Sequence, residues 1–129
     1  MKKTLILLFT LCLSLVAFQC EDNIDSTFEE DQQELTGLKQ SIEDLASTSV
    51  CNENTECKFI AFGSKPCGGP WSYLIYSTSI DEANLKTLVA NYNKKEAAYN
   101  QKWGIVSDCA MVNPPVSTTC ENNTCVAIY

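Results

Sequence analysis

The chain has 129 residues, eight cysteines, no histidine and a net charge of −7. All nine of its basic residues are lysines. An acidic chain without arginine repels phosphate backbones and lacks the bidentate guanidinium, so nucleic acid is excluded as an expected partner. Without an imidazole, the usual Ser–His and Cys–His arrangements of nucleophilic enzymes cannot form. We therefore expect a protein that is not an enzyme and that has no cofactor and no metal site.

The N-terminus has the pattern of a secretory signal. Two lysines precede an uncharged apolar run, Thr4 to Phe18, which is shorter than the roughly 20 residues that a transmembrane helix needs. Cys20 follows, and two acidic residues come directly after it. This layout resembles that of a bacterial lipoprotein precursor.

The resemblance implies that residues 1–19 are removed and that Cys20 becomes the lipidated N-terminus, which carries palmitate. The acidic residues behind Cys20 resemble the export tag of surface lipoproteins in some Gram-negative bacteria. The protein is then exported and anchored to the outer membrane, with its domain at the cell surface. The alternative is a secreted or periplasmic protein cut by the ordinary signal peptidase.

Residues 20–50 form an acidic tether with nine acids and one lysine (net −8). Ser26 and Glu29 have capping-box spacing, and apolar residues follow at spacings of seven, three, four and three. This pattern predicts an amphipathic helix at about 27–46, with Asp31 interrupting its apolar face. We expect its C-terminal half to dock on the domain. Fewer than three heptads make the alternative, a coiled-coil partner helix, the weaker hypothesis.

Residues 51–129 predict a small disulfide-linked α+β domain. The strands are expected at 58–62, 71–77, 116–120 and 125–129, and one long helix is expected at about 80–103. The helix has a capping box at Ser79 and Glu82 and a glycine stop at Gly104. We expect one antiparallel sheet of about four strands with this helix packed on one face.

Six cysteines remain in this domain, and an even number in an exported chain indicates three disulfides. They are Cys51, Cys57, Cys67, Cys109, Cys120 and Cys125. Their spacing does not match a zinc site. The last two flank a predicted hairpin turn. If the 58–62 strand runs antiparallel to 116–120, Cys57 also starts beside Cys120, and Cys51 is only a short loop away, which would place these four at one end of the sheet. By elimination, Cys67 is expected to pair with Cys109.

The segment between the first two strands is the candidate binding loop. Its candidate residues are Lys65, Pro66, Gly68, Gly69 and Trp71. Proline and cysteine restrict such a loop, and a restricted loop loses little entropy when it binds. The functional hypothesis is a protein-binding or inhibitor-like surface with Lys65 at its tip, ready to enter an acidic pocket. The alternative is a disulfide-linked turn with no partner.

Aromatic residues on the second strand suggest a different function. Trp71 and Tyr73 alternate onto one face and could stack on sugars, which makes a glycan-binding surface module the alternative hypothesis. Burial under the tether helix or loops would equally account for them. The CGGPW run and the six-cysteine layout resemble those of uncharacterised exported bacterial domains, and this resemblance implies no activity. We therefore expect a lipid-anchored envelope protein that binds another protein.

Overall fold

The structure, a computed structural model, describes residues 25–129. The predicted signal peptide and the predicted lipid site at Cys20 lie outside these residues. Two helices and four strands follow in the order α1 (Phe28–Ser47), β1 (Cys57–Phe62), β2 (Ser72–Ser77), α2 (Glu82–Trp103), β3 (Ser117–Glu121) and β4 (Thr124–Ile128). The predicted α+β class is confirmed. Within residues 25–129, no helix has the length and apolarity to cross a bilayer.

The strands form two separate antiparallel hairpins, β1–β2 and β3–β4. The prediction of a single four-stranded sheet is therefore wrong. The Cys57–Cys125 disulfide joins the two hairpins, and the Cys51–Cys120 disulfide ties the second hairpin to the segment before β1. The Thr118 hydroxyl also donates to the Cys57 carbonyl at 2.8 Å. These covalent links hold the second hairpin against the first without a shared backbone ladder.

The core lies between the two helices and the inner face of the first hairpin. Its buried members are Ile42, Ala46, Phe62, Tyr76, Leu85, Val89 and Tyr92. Because Ile42 and Ala46 belong to α1, the C-terminal half of that helix is docked as expected. The period of the apolar residues predicted both helices because each helix turns one face to this core.

The N-terminal half of α1 is held on the C-terminal end of α2. The Asp31 carboxylate accepts hydrogen bonds from the Lys102 ammonium at 2.8 Å and from the Trp103 indole at 2.9 Å. The same ammonium donates to the Ser26 carbonyl at 3.0 Å, and the Phe28 ring packs edge-on against Trp103. Asp31 interrupts the apolar face of α1 because it makes this polar link.

Both helices begin one or two residues later than predicted. Thr27 rather than Ser26 caps α1 and forms the capping box with Glu30. The sequence fits the capping-box motif with either Ser26 or Thr27 as the N-cap residue, so spacing alone does not choose between the two. Asp81 caps α2, since the Ser79 hydroxyl instead accepts a hydrogen bond from the Val50 amide at 2.9 Å. The stop at Gly104 is confirmed by its left-handed conformation at φ 62°.

Acid should destabilise the fold through two carboxylates. The Lys86 and Lys58 ammonium groups and the Tyr76 hydroxyl hold the pKa of Glu82 at about 2, below its ordinary 4.5. Hydrogen bonds, first from Lys102, hold the pKa of Asp31 at about 2. Since both pKa values are lower in the folded chain, this stabilisation is present above about pH 4.5 and is lost as pH falls towards 2.

We therefore expect the melting temperature to fall steadily between about pH 5 and pH 2. The Glu82→Gln variant should lose less stability over this interval than the natural chain, because one of the two titrating groups is gone. Thermal unfolding, followed by circular dichroism at several pH values, measures the melting temperatures of the two proteins. An equal loss in the two proteins would show that Glu82 does not contribute.

Candidate functional site

The candidate site is the 63–71 loop, which connects β1 to β2. Its backbone closes on itself, because the Lys65 amide donates to the Gly69 carbonyl and the Gly68 amide donates to the Lys65 carbonyl, both at 2.9 Å. The Trp71 amide donates to the Phe62 carbonyl at 3.0 Å and extends the hairpin ladder into the loop. The loop is therefore a turn that is closed by its own backbone hydrogen bonds.

Three polar side chains of α2 hold the start of this loop. The Asn93 carbonyl oxygen accepts from the Gly63 amide at 2.7 Å, and the Glu96 carboxylate accepts from the Ser64 amide at 2.5 Å. The Asn100 side chain donates to the Ser64 carbonyl at 2.7 Å. Residues three and four apart share one face of a helix, so one face of α2 satisfies three loop backbone groups.

The three α2 residues that hold the loop were not predicted from the sequence. Asn93, Glu96 and Asn100 follow Val89 and Tyr92, which α2 turns into the core. Polar residues at helical spacing beside a buried apolar face were the available signal, since buried polar groups need partners. The Tyr92 hydroxyl donates to Glu96 at 3.0 Å. Burial, and then the Glu96 carboxylate, raise the pKa of that hydroxyl above its ordinary value.

Lys65 does not project from the loop as predicted. It is only 7 % exposed, and its ammonium donates to the Ala110 carbonyl at 2.5 Å. The Asp108 carboxylate lies 3.6 Å away, and the Trp71 ring centroid lies 5.0 Å away. The Ala110 amide and then this ammonium hold the pKa of Asp108 below its ordinary value. The ammonium turns inward because it finds a carbonyl, a carboxylate and an aromatic ring there.

The predicted Cys67–Cys109 disulfide is confirmed, with Cα atoms 5.6 Å apart. It ties the middle of the loop to the segment that follows α2. The expected cluster of the other four cysteines is also confirmed, and they pair as Cys51–Cys120 and Cys57–Cys125. The loop is thus held from three directions: by its own backbone, by α2 and by this bridge.

Two of the disulfides lie close together. The sulfurs of Cys51, Cys57 and Cys125 are all within 4.8 Å of one another. Zinc and related metals bind thiolates, and a disulfide sulfur is not one. In the oxidised chain these sulfurs are therefore structural links.

The tip of the loop, Pro66–Gly69, is exposed. Three large apolar side chains of the segment after α2 are also exposed: Val106 at 87 %, Met111 at 91 % and, next to β3, Val116 at 81 %. Met111 directly follows Ala110, which accepts the hydrogen bond from Lys65. We call Pro66–Gly69, Val106 and Met111 the loop face.

The two aromatic residues of the glycan hypothesis have different neighbours. Trp71 is 40 % exposed and lines a cleft together with Tyr92 and Tyr99 of α2. Tyr73 lies in β2 and packs edge-on against Phe59 of β1, with ring centroids 5.7 Å apart. Trp71 and Tyr73 thus have different surroundings, and glycan binding through this pair stays a prediction.

Comparison with known proteins adds no relative, since no family, curated protein or solved structure matches this chain. What the loop face can do follows from its own groups. Its nearest charges, Lys65 and Asp108, are paired with each other. The face therefore offers backbone polar groups and prolyl surface on a held loop, with exposed apolar side chains on the segment tied to it by the Cys67–Cys109 bridge, which suits recognition by shape.

Proposed function

We propose that this chain is a lipid-anchored protein of the cell envelope that binds another protein through the loop face and carries no enzymatic activity. The observation that carries the proposal is the combination of an exposed tip, Pro66–Gly69, with a base held by α2 and by the Cys67–Cys109 bridge. A preorganised loop gives up little conformational entropy on binding, which favours affinity.

The anchor in this proposal is lipid on Cys20, and the location is the outer membrane with the domain at the cell surface. The three disulfides support an exported, oxidising environment, since such bridges persist there and are rare in the cytosol. A secreted or periplasmic form without lipid is the alternative location. Either location leaves the loop face available to other exported proteins.

An inhibitor-like mode remains within this proposal, but its chemistry differs from the expectation drawn from the sequence. The Lys65 ammonium is buried and paired, so it is not the group that enters a partner's pocket. The exposed prolyl and glycyl tip would dock instead, with Val106 and Met111 burying apolar surface beside it. Apolar area at the centre of an interface is what supplies most of its affinity.

The proposal is tested by photo-crosslinking in living cells. A photoreactive amino acid replaces Gly68, Met111 or, as a control, Val50, which lies three residues beyond the C-terminal end of α1 and is 51 % exposed. We expect one protein adduct of the same mass from the two loop-face positions and none from the Val50 position. Adducts that are equal at all three positions, or absent from the loop face, would contradict the proposal.

The anchor is tested in the same cells with the Cys20→Ala variant. Loss of the lipid should move the protein from the membrane fraction to the soluble fraction. Intact mass spectrometry of the natural protein should show a mature chain that begins with a lipidated Cys20. A mature chain without lipid would disprove the anchor and leave the loop-face result to stand alone.

A further inference from the structure

A cleft beside the loop has features of a ligand site that protein binding does not use. It lies between α1, α2 and Trp71, and its volume is about 370 Å³. The part contributed by α1 includes Leu35 and Lys39, and the part contributed by α2 includes Tyr99 and Asn100. A cleft of this size lies at the lower end of the range for small-molecule sites.

Trp71 gives the cleft a fixed aromatic surface. The indole is 40 % exposed although it belongs to a small domain with a closed core. It is held in place, since its backbone amide is bonded to Phe62 and the buried Lys65 ammonium lies 5.0 Å from its ring centroid. An exposed aromatic ring on an anchored backbone is available to stack on a flat, partly apolar ligand.

Asn100 gives the cleft an unused hydrogen-bond acceptor. This residue is only 7 % exposed, and its amide nitrogen is committed to the Ser64 carbonyl at 2.7 Å. Within residues 25–129 its Oδ1 accepts no hydrogen bond, while every polar side-chain atom that is shut off from solvent in this part of the chain has a partner. Oδ1 is therefore not shut off from solvent, and Asn100 lines both this cleft and a neighbouring one beside Lys65 and Pro66. A donor bound in the first cleft is in reach of the Asn100 side chain and would satisfy this acceptor.

The cleft lining carries one acid and one lysine, Glu96 and Lys39. The Glu96 carboxylate accepts from the Ser64 amide and from the Tyr92 hydroxyl. The Lys39 ammonium lies 4.0 Å from Glu43 along α1. Because the formal charges of Glu96 and Lys39 cancel, the lining has no net charge, and the cleft favours a neutral ligand that carries hydroxyl donors.

From these observations we propose that the cleft binds a neutral saccharide, one or two pyranose rings in size. The apolar C–H face of the ring stacks on the Trp71 indole, and a hydroxyl donates to Asn100 Oδ1. The site goes beyond the proposed protein binding, because it lies on the α1 side of the loop and does not include the loop face. It also differs from a platform made of Trp71 and Tyr73, since Tyr73 packs against Phe59.

The test uses the full mature chain in detergent with three neutral disaccharides as probes: cellobiose, lactose and chitobiose. Trp71 and Trp103 are the two tryptophans of the chain, so Trp103→Phe makes Trp71 the single fluorescent reporter. We expect at least one probe to shift its emission saturably, with a dissociation constant of about 1 mM or below. No saturable shift with any of the three up to about 10 mM would overturn the proposal.

Two single substitutions, made in the natural chain without the Trp103→Phe change, locate the binding site by calorimetry. Trp71→Ala should weaken the affinity at least about tenfold, a loss of about 1.4 kcal/mol, while Tyr73→Ala should leave it unchanged. Equal losses in the two variants would assign the sugar to the sheet face and overturn the cleft site. The protein-binding proposal is tested at Gly68 and Met111, so either proposal can fail without the other.

Discussion

Replacing Cys67 and Cys109 together by alanine is expected to lower the free energy of unfolding by about 3–4 kcal/mol. The bridge spans 42 residues of sequence, and removing a constraint of that length increases the entropy of the unfolded chain. The loop tip also loses its tie to the segment after α2. Amide hydrogen exchange at Lys65 and Gly68, whose N–H groups close the loop, should therefore become faster.

The control for this variant is the Cys57→Ala and Cys125→Ala double substitution. That bridge spans 68 residues and lies away from the loop, so the loss of stability should be similar or slightly larger. The Lys65 and Gly68 amides should keep their local protection relative to the β1 amides. Equal loosening of the loop in both double variants would show that the Cys67–Cys109 bridge acts only on global stability.

Gly63→Ala is expected to destabilise the chain by about 2–5 kcal/mol, because it combines a strained backbone with a collision. Gly63 has φ 83°, which a residue with a side chain adopts only at a cost. A Cβ atom there would lie 2.7 Å from Trp71 Cδ1 and 3.0 Å from Glu96 Oε2. The indole and the carboxylate that binds the Ser64 amide would both have to move.

Gly68→Ala is the matched control for this substitution. Its φ of 93° imposes a similar backbone cost, but a Cβ atom there would have no neighbour within 4 Å. We therefore expect a loss of only about 1–2 kcal/mol. Chemical denaturation of the two variants measures the difference, which reports the collision alone. If both variants lose the same free energy of unfolding, Gly63 is not packed against Trp71 and Glu96 as described.

The elements of this fold were largely predictable from local pattern. The apolar period of both helices, the stop at Gly104 and the Asn-rich turn of the second hairpin each depend on a few neighbouring residues. Asn122 and Asn123 have the positive φ values that such a turn needs. The Cys67–Cys109 disulfide was also predictable, because the second hairpin places Cys120 beside Cys125. Once these two are grouped with Cys51 and Cys57, Cys67 and Cys109 are left to pair with each other.

The inward position of Lys65 and the separate hairpins were not predictable in this way. The partners of Lys65 are Ala110 and Asp108, more than forty residues away, and no local pattern brings them together. The prediction that β1 shares a sheet with β3 was wrong, because the Cys57–Cys125 disulfide and not a backbone ladder joins the two hairpins. Contacts between residues far apart in the sequence determine the position of Lys65 and the separation of the two hairpins. The same kind of contact positions the candidate binding loop.

The tip of the 63–71 loop should be a fixed surface in solution. Backbone order parameters from ¹⁵N relaxation of the oxidised protein test this directly at Gly68 and Gly69, two exposed glycines that would be among the most mobile residues of an unrestrained loop. We expect values close to those of the β1 and β2 strands, about 0.8 or higher. Values below about 0.6 at both glycines, with the strands near 0.85, would contradict it.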